Sequence, residues 1–141
     1  MLKRTLSGLA AIAICATSAA AAYTPGPLPS DTFGGGYVPA DALVLKDEQK
    51  AAKAGALHAV KVTGCYAKGV TNVANGKPDG VAACIQKSTE VYDLKLAALL
   101  NLPDCHDYSA DAPVISALVK TFNPGVYCES PSGAFIDSAT F

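Results

Sequence analysis

The sequence predicts an all-α fold, and three observations support this prediction. Apolar residues recur at spacings of three and four over two long stretches, as they do on amphipathic helices. Between them lies Asn75-Gly76-Lys77-Pro78-Asp79-Gly80, in which Asn and Gly can adopt the left-handed conformation that ends a helix. Cys65, Cys84 and Cys105 lie about twenty residues apart around this turn. Together these features predict an antiparallel helical hairpin and a short third helix, fastened by disulfides, between irregular N- and C-terminal segments.

Residues 1–22 have the features of an export signal: a positively charged start, an uncharged apolar stretch and three alanines at its end. Cys15 allows an alternative, a lipidated cysteine, but Ile14 is larger than the residue that lipoprotein signals place there. The apolar stretch is shorter than a membrane span requires. We therefore expect a secreted or periplasmic protein whose mature chain has no membrane span.

The remaining chain is expected to form one domain with a flexible segment before it. Residues 23–40 are rich in Pro and Gly and cannot bury enough apolar surface to offset their ordering entropy. They are interpreted as a spacer; the alternative is a loosely docked strap held by Phe33 and Tyr37. The helical domain then covers 41–128, and 129–141 form a tail.

The first helix is expected to run from Asp41 to Asn75, and its glycines either permit close packing or mark bends. Its predicted apolar stripe comprises Leu45, Ala52, Ala56, Ala59, Val60, Tyr66, Val70 and Val73. A stripe of lysines runs along the opposite side and comprises Lys46, Lys50, Lys53, Lys61 and Lys68. A solvated surface explains these lysines, and the alternative is contact with an anionic partner such as an acidic polysaccharide or a lipid headgroup.

The second and third helices are predicted from their apolar faces. On the second helix one face comprises Val81, Cys84, Ile85, Ser88, Tyr92, Leu96 and Leu99. The third helix is expected to begin near Ser109 or Asp111 and to stop at Asn123-Pro124-Gly125. Its predicted apolar stripe comprises Ile115, Leu118, Val119 and Phe122.

Four cysteines remain after the signal, and in an oxidising compartment an even number without close-spaced pairs favours two disulfides. Four cysteines allow three pairings. Cys84 and Cys105 lie near opposite ends of the second helix, about 30 Å apart, so the pairing that joins them is excluded. We expect Cys65 to pair with Cys84 and Cys105 with Cys128.

The charge of the chain disfavours nucleic-acid binding. Arg4 lies within the signal, so the exported chain has no arginine, and nine lysines against twelve acidic residues leave a net charge of −3. Arginine is the preferred residue for contacts to phosphates and guanines, and no compact basic cluster replaces it.

No catalytic motif or cofactor site is expected. His58 and Cys65 lie about 10 Å apart along the first helix, too far for a nucleophile and its base. A zinc site built from dispersed cysteines and histidines would lack the close-spaced ligand pairs that such sites use. Asp104, Asp107 and Asp111 could hold a calcium ion, but their spacing does not match an EF-hand loop. We expect neither an enzyme nor a metalloprotein.

Three cysteine-containing segments carry a resemblance to known proteins. Gly64-Cys65-Tyr66-Ala67-Lys68, Ala83-Cys84-Ile85-Gln86-Lys87 and Pro103-Asp104-Cys105 together resemble the cysteine-bearing helical hairpins of exported bacterial proteins of unassigned function. The resemblance covers about a third of the chain. It implies a disulfide-fastened helical hairpin outside the cytoplasm and no particular activity.

Two functions follow as expectations. The first is a non-enzymatic protein of the cell envelope or surface, a structural or binding module for a macromolecular partner that the sequence does not identify. The second is a small carrier whose helices enclose an apolar ligand. Its candidate lining residues, which are core residues in the first interpretation, are Tyr66, Val70, Ile85, Tyr92, Leu96, Leu99 and Phe122. The sequence leaves the oligomeric state open.

Overall fold

The computed structural model describes residues 24–33, 35–127, 132 and 134. The predicted export signal, Cys128 and most of the tail lie outside the described residues. The elements, in chain order, are β1 (Gly26–Pro27), α1 (Ser30–Phe33), β2 (Tyr37–Val38), α2 (Ala42–Ala74), α3 (Val81–Ala97), a 3-10 turn (Tyr108–Ala110) and α4 (Asp111–Val126). The described chain is thus mostly helical, as predicted, with one very small sheet.

The segment expected to be a spacer contains short elements that the sequence analysis did not predict. β1 and β2 pair antiparallel, and the Leu28 amide donates to the Gly36 carbonyl at 3.0 Å. Gly36 has a φ of +101°, which only glycine adopts without strain, so the glycine run permits this reversal. Tyr37 is 76% exposed and does not dock on the helices. The side chain of Phe33 lies outside the described groups.

α2 is one continuous helix of 33 residues. The Asp41 carboxylate begins it by accepting from the Leu43 and Val44 amides at 2.7 and 3.4 Å. No break occurs at its glycines. Two of them permit close packing, because a Cβ on Gly69 would overlap Val81 and a Cβ on Gly55 would touch Ile115.

The buried face of α2 differs from the predicted apolar stripe, which is wrong in most of its members. Val60 and Val73 are 68% and 62% exposed. The residues that are buried instead recur at steps of four and three and are Asp47, Ala51, Ala54, His58, Val62, Cys65 and Gly69. Most of these are small or polar. They form an interface because small side chains let the neighbouring helices approach, while the two polar side chains have specific partners across it.

α3 presents the predicted face to α2. Every member of that face is buried or half-buried, and Gln86, Glu90 and Asp93 on the other side are exposed. Residues late in α2 contact residues early in α3. Gly69 lies against Val81, Cys65 is bonded to Cys84, and His58 lies next to Ser88. In the connecting turn Gly76 and Gly80 have φ values of +70° and +67°, and the Asp79 carboxylate accepts from the Val81 amide.

α4 is longer than predicted and packs against α2 and α3. Helical structure continues through Pro124 to Val126, and the Tyr127 amide donates to the Asn123 carbonyl at 2.9 Å. Proline removes one backbone hydrogen bond, which the last turn of a helix tolerates better than its middle does. Ile115 and Val119 are half-buried, whereas Leu118 and Phe122, also assigned to the packing stripe, are exposed by 57% and 69%.

The described residues contain one disulfide, where two were expected. Cys65 and Cys84 are bonded with a Cα–Cα distance of 5.7 Å, which confirms the preferred pairing. Cys105 is an exposed free thiol, so the expected bridge to Cys128 is not formed; Cys128 itself lies outside the described residues. In the sequence α4 lies between these two cysteines, and its 16 residues separate its two ends by about 24 Å.

Candidate functional site

A buried histidine joins the three long helices. His58 of α2 is 2% exposed, and its Nδ1 lies 2.9 Å from the Ser88 hydroxyl of α3. Its Nε2 lies 3.2 Å from the Ala112 carbonyl and 3.1 Å from the Ser116 hydroxyl, both of α4. Because a carbonyl can only accept, we assign a proton to Nε2, which donates it to the Ala112 carbonyl. Both ring nitrogens are therefore used in fastening helices.

The structure does not pair His58 with Cys65 as a base with its nucleophile. Cys65 is in the disulfide and cannot act as a nucleophile, and the neighbour of His58 is Ser88. The serine lies inside α3, where the backbone amides are committed to the helix and cannot stabilise an oxyanion. The pair lacks this part of a hydrolytic site.

A second buried polar residue, Asp47, fastens the open end of the α2 and α3 pair. Its carboxylate is 2.7 Å from Lys50 Nζ and accepts from the backbone and side-chain amides of Asn101 at 3.2 and 2.9 Å. Hydrogen bonds from Lys50 and then from Asn101 lower the pKa of Asp47 to about 2. Asp47 is 5% exposed, so these partners satisfy a carboxylate that has lost most of its water.

Tyr92 holds the beginning of α4. It is 2% exposed, and its hydroxyl donates to Asp111 at 3.1 Å. Burial, together with the negative charge of Asp111, raises the pKa of Tyr92 to about 12. The other carboxylate oxygen of Asp111 lies 2.8 Å from His106 Nε2. Both carboxylate oxygens of Asp111 therefore have partners within the protein.

Asp104, Asp107 and Asp111, considered above as calcium ligands, lie at or before the start of α4. A hydrogen bond from the Ser109 hydroxyl, and then one from the Ser109 amide at 3.1 Å, lower the pKa of Asp107. Asp104 is exposed. In the described part of the chain no three His, Cys, Asp or Glu side chains come together in a way that could hold a metal ion.

The residues expected to line a carrier cavity are distributed over separate places. Tyr66 and Val70 line a shallow groove beside the connecting turn, together with Val73 and Val81. Tyr92 and Leu99 lie at grooves farther along the helix pair. Ile85 and Leu96 are half-buried between helices, and Phe122 is exposed on α4. The structure does not bring the seven residues together around one ligand-sized volume.

An open groove runs between α2 and α3 and is called the front groove below. The part that lies over the disulfide has a volume of about 520 Å³. α4 lies on the opposite side of the helix pair, where Ile115 and Asp111 line a different groove with Gly55 and Ala59. The apolar lining of the front groove comprises Ala54, Leu57, Val60, Gly64, the disulfide, Val91, Ala98 and Leu99.

Lysines from both helices border the front groove. Those of α2 are Lys50, Lys53 and Lys61, and those of α3 are Lys87 and Lys95. Among the described residues no carboxylate lines this groove. Lys50 is paired with Asp47, and the other four lysines have no described carboxylate within ion-pair distance. The groove is therefore a local site of positive charge on a chain whose net charge is −1.

Exposed apolar side chains lie among these lysines. Leu57 and Val60 of α2 are 43% and 68% exposed, and Val91 of α3 is 48% exposed. Leu94, 72% exposed, shares the side of α3 that carries Val91, because it follows at a spacing of three. The name lysine-flanked face is used below for these four apolar residues with Lys53, Lys61, Lys87 and Lys95.

The sequence predicts the lysines of this face on α2 but not the exposed apolar residues beside them. It identified the α2 lysine stripe but placed Val60 in the core, so the lysines and the exposed apolar residues were assigned to opposite sides. The signal that could have joined them is on α3, where Val91 lies between Lys87 and Lys95 at spacings of four.

Comparisons with known proteins identified no relative of this chain. No family model, no curated protein and no solved structure matches this chain. Among the described helices, none has the length and apolar character that crossing a membrane would require.

Proposed function

We propose that this chain is a non-enzymatic, exported module of the cell envelope, an antiparallel helical hairpin that binds an anionic macromolecular partner through its lysine-flanked face. The lysine-flanked face itself is the observation that carries the proposal. Four lysines without a described acidic partner surround four exposed apolar side chains on a chain of net negative charge. Such separation of charge attracts anionic surfaces and orients the protein toward them.

Two further observations support this proposal. The disulfide suits an oxidising compartment, where a small domain gains from a covalent fastening. Four of the exposed apolar residues, those of the lysine-flanked face, lie among lysines, an arrangement of apolar and charged groups that occurs in surfaces that take part in binding. A carrier has less support, because its candidate lining residues lie around separate grooves.

Retention on cell-envelope fractions of the producing cells tests the proposal. We expect the exported chain to be retained at low salt and released at high salt, because ion pairs at an exposed surface are screened. The double variant Lys61→Gln with Lys95→Gln should lose most of this retention. The matched control, Lys77→Gln with Lys120→Gln, removes the same charge from the turn and from α4 and should bind like the unmodified protein. Equal retention of the two variants would contradict a role for the lysine-flanked face.

A further inference from the structure

We propose that the anionic partner is a lipid bilayer, and that the protein lies on its surface with the lysine-flanked face toward the lipid. This inference rests on the proposed function and names the chemistry of the partner. An acidic polysaccharide would use the lysines alone. It would leave Val60 and Leu94, 68% and 72% exposed, without a favourable environment.

The arrangement of charged and apolar groups matches the interface of a bilayer. Apolar side chains of an interfacial helix enter the boundary between headgroups and acyl chains, while lysines extend their ammonium groups to the lipid phosphates. Here the apolar residues lie on both sides of the groove, and lysines of both helices border them. Two adjacent helices therefore present one broad apolar surface with a positively charged border.

Most acidic residues of the helix pair lie away from this face. Asp47 is buried and hydrogen-bonded to Lys50 and Asn101. Glu90 and Asp93 line no part of the front groove, although Glu90 borders the lysine-flanked face, because it lies four residues before Leu94. The Glu90 carboxylate accepts from the Gln86 side-chain amide at 3.2 Å. The carboxylates of Glu48 and Asp111 line the groove on the opposite side of the helix pair, beside α4.

A second copy of the chain is a less suitable occupant of the same face. Two such faces in contact would place lysines against lysines, and like charges across an interface are unfavourable. An anionic bilayer instead supplies the opposite charge and an apolar environment together.

Co-sedimentation with lipid vesicles tests the inference. The exported chain should bind vesicles that contain phosphatidylcholine and phosphatidylglycerol, bind pure phosphatidylcholine much more weakly, and dissociate as salt is added. Each lysine near an anionic surface contributes about fivefold in affinity, so Lys61→Gln with Lys95→Gln should weaken binding by about 25-fold. Val60→Ser with Leu94→Ser should weaken it by roughly tenfold, because both side chains then lose their favourable transfer into the interface.

The matched apolar control lies on α4, where Val114 and Leu118 are 55% and 57% exposed. Val114→Ser with Leu118→Ser should bind vesicles like the unmodified protein, and Lys77→Gln with Lys120→Gln should do the same. Circular dichroism and thermal unfolding would establish that every variant is folded. If the apolar control loses as much affinity as Val60→Ser with Leu94→Ser, the orientation proposed here is wrong.

Binding to a column of sulfated polysaccharide separates this inference from the proposed function. Retention on the column without binding to anionic vesicles would overturn the lipid proposal and leave the anionic-partner proposal intact. Failure on the column, on the vesicles and on the envelope fractions would overturn both. Vesicle binding that depends on the four apolar residues as well as on the lysines would support the bilayer as the partner.

Discussion

Asp47 and His58 show how single buried polar residues determine the packing of α2. Neither belongs to the apolar stripe that the sequence predicts for this helix, yet each is at most 5% exposed. Their partners Asn101 and Ser116 are 54 and 58 residues away in the chain. Helical periodicity describes only neighbours within a few turns, so it could not identify these contacts.

Asp47 gives the stability of the protein a specific dependence on pH. Its folded pKa of about 2 is below the ordinary value of 3.8, so its stabilising effect is complete above about pH 4. As the pH falls from about 4 to about 2, the unfolded chain binds the proton first and this stabilisation is lost. Asp47→Asn should therefore be less stable than the unmodified protein at neutral pH, and the difference should shrink in acid.

Urea unfolding over a series of pH values measures this effect. Asp104→Asn is a suitable control, because Asp104 is exposed and has no hydrogen bond or ion pair among the described residues. It should change the free energy of unfolding little at any pH. A difference between Asp47→Asn and the unmodified protein that stayed constant down to the acid range would show that ionisation of Asp47 is not the cause.

At the scale of the helices, the sequence predicted α3 well and α2 poorly. The face of α3 carries large apolar residues at regular spacings, so its pattern identifies its buried side. The buried face of α2 contains alanines, Gly69 and two polar residues, which apolar patterns do not distinguish from a surface. The lysines were found from the sequence, whereas their position beside the front groove depends on which side of α2 is buried.

The glycines of α2 offer a test of its packing against α3. A methyl group at Gly69 would overlap Val81, whereas nothing lies within 4 Å of a Cβ placed on Gly64. Gly64→Ala should therefore stabilise the protein by up to about 1 kcal/mol, the helix-propensity difference between the two residues. Gly69→Ala should destabilise it by about 1–2 kcal/mol, because overpacking exceeds that gain.

Chemical unfolding of the two alanine variants compares them directly. Both substitutions add the same methyl group to the same helix, so Gly64→Ala is the control for helix propensity. A similar rise in stability for both variants would mean that α2 and α3 do not approach closely at Gly69.

For the whole molecule, the disulfide is expected to be a major source of stability. Cys65 and Cys84 are separated by 19 residues in sequence, and a loop of that size corresponds to about 3 kcal/mol in the chain-entropy description. Reduction, or Cys65→Ser with Cys84→Ser, should lower the thermal midpoint clearly. Equal midpoints with and without reductant would contradict this expectation.

Cys105→Ser is the matched control for that experiment. Cys105 is exposed and free, so its replacement should leave the midpoint unchanged. The sequence predicted the pairing of Cys65 with Cys84 correctly but paired the other two cysteines across a helix that was expected to be almost as long as the observed α4.

The α2 and α3 pair is held at its two ends by bonds of different chemical kinds. Near the connecting turn the link is covalent, while at the other end it is the hydrogen-bonded carboxylate of Asp47 with Asn101. Protonation weakens the second and leaves the first. In acid, we therefore expect local unfolding to begin where α2 starts and α3 ends, while the helices stay joined near the turn. The covalent link alone is independent of pH, so it keeps the register of the two helices where the hydrogen-bonded link is weakened.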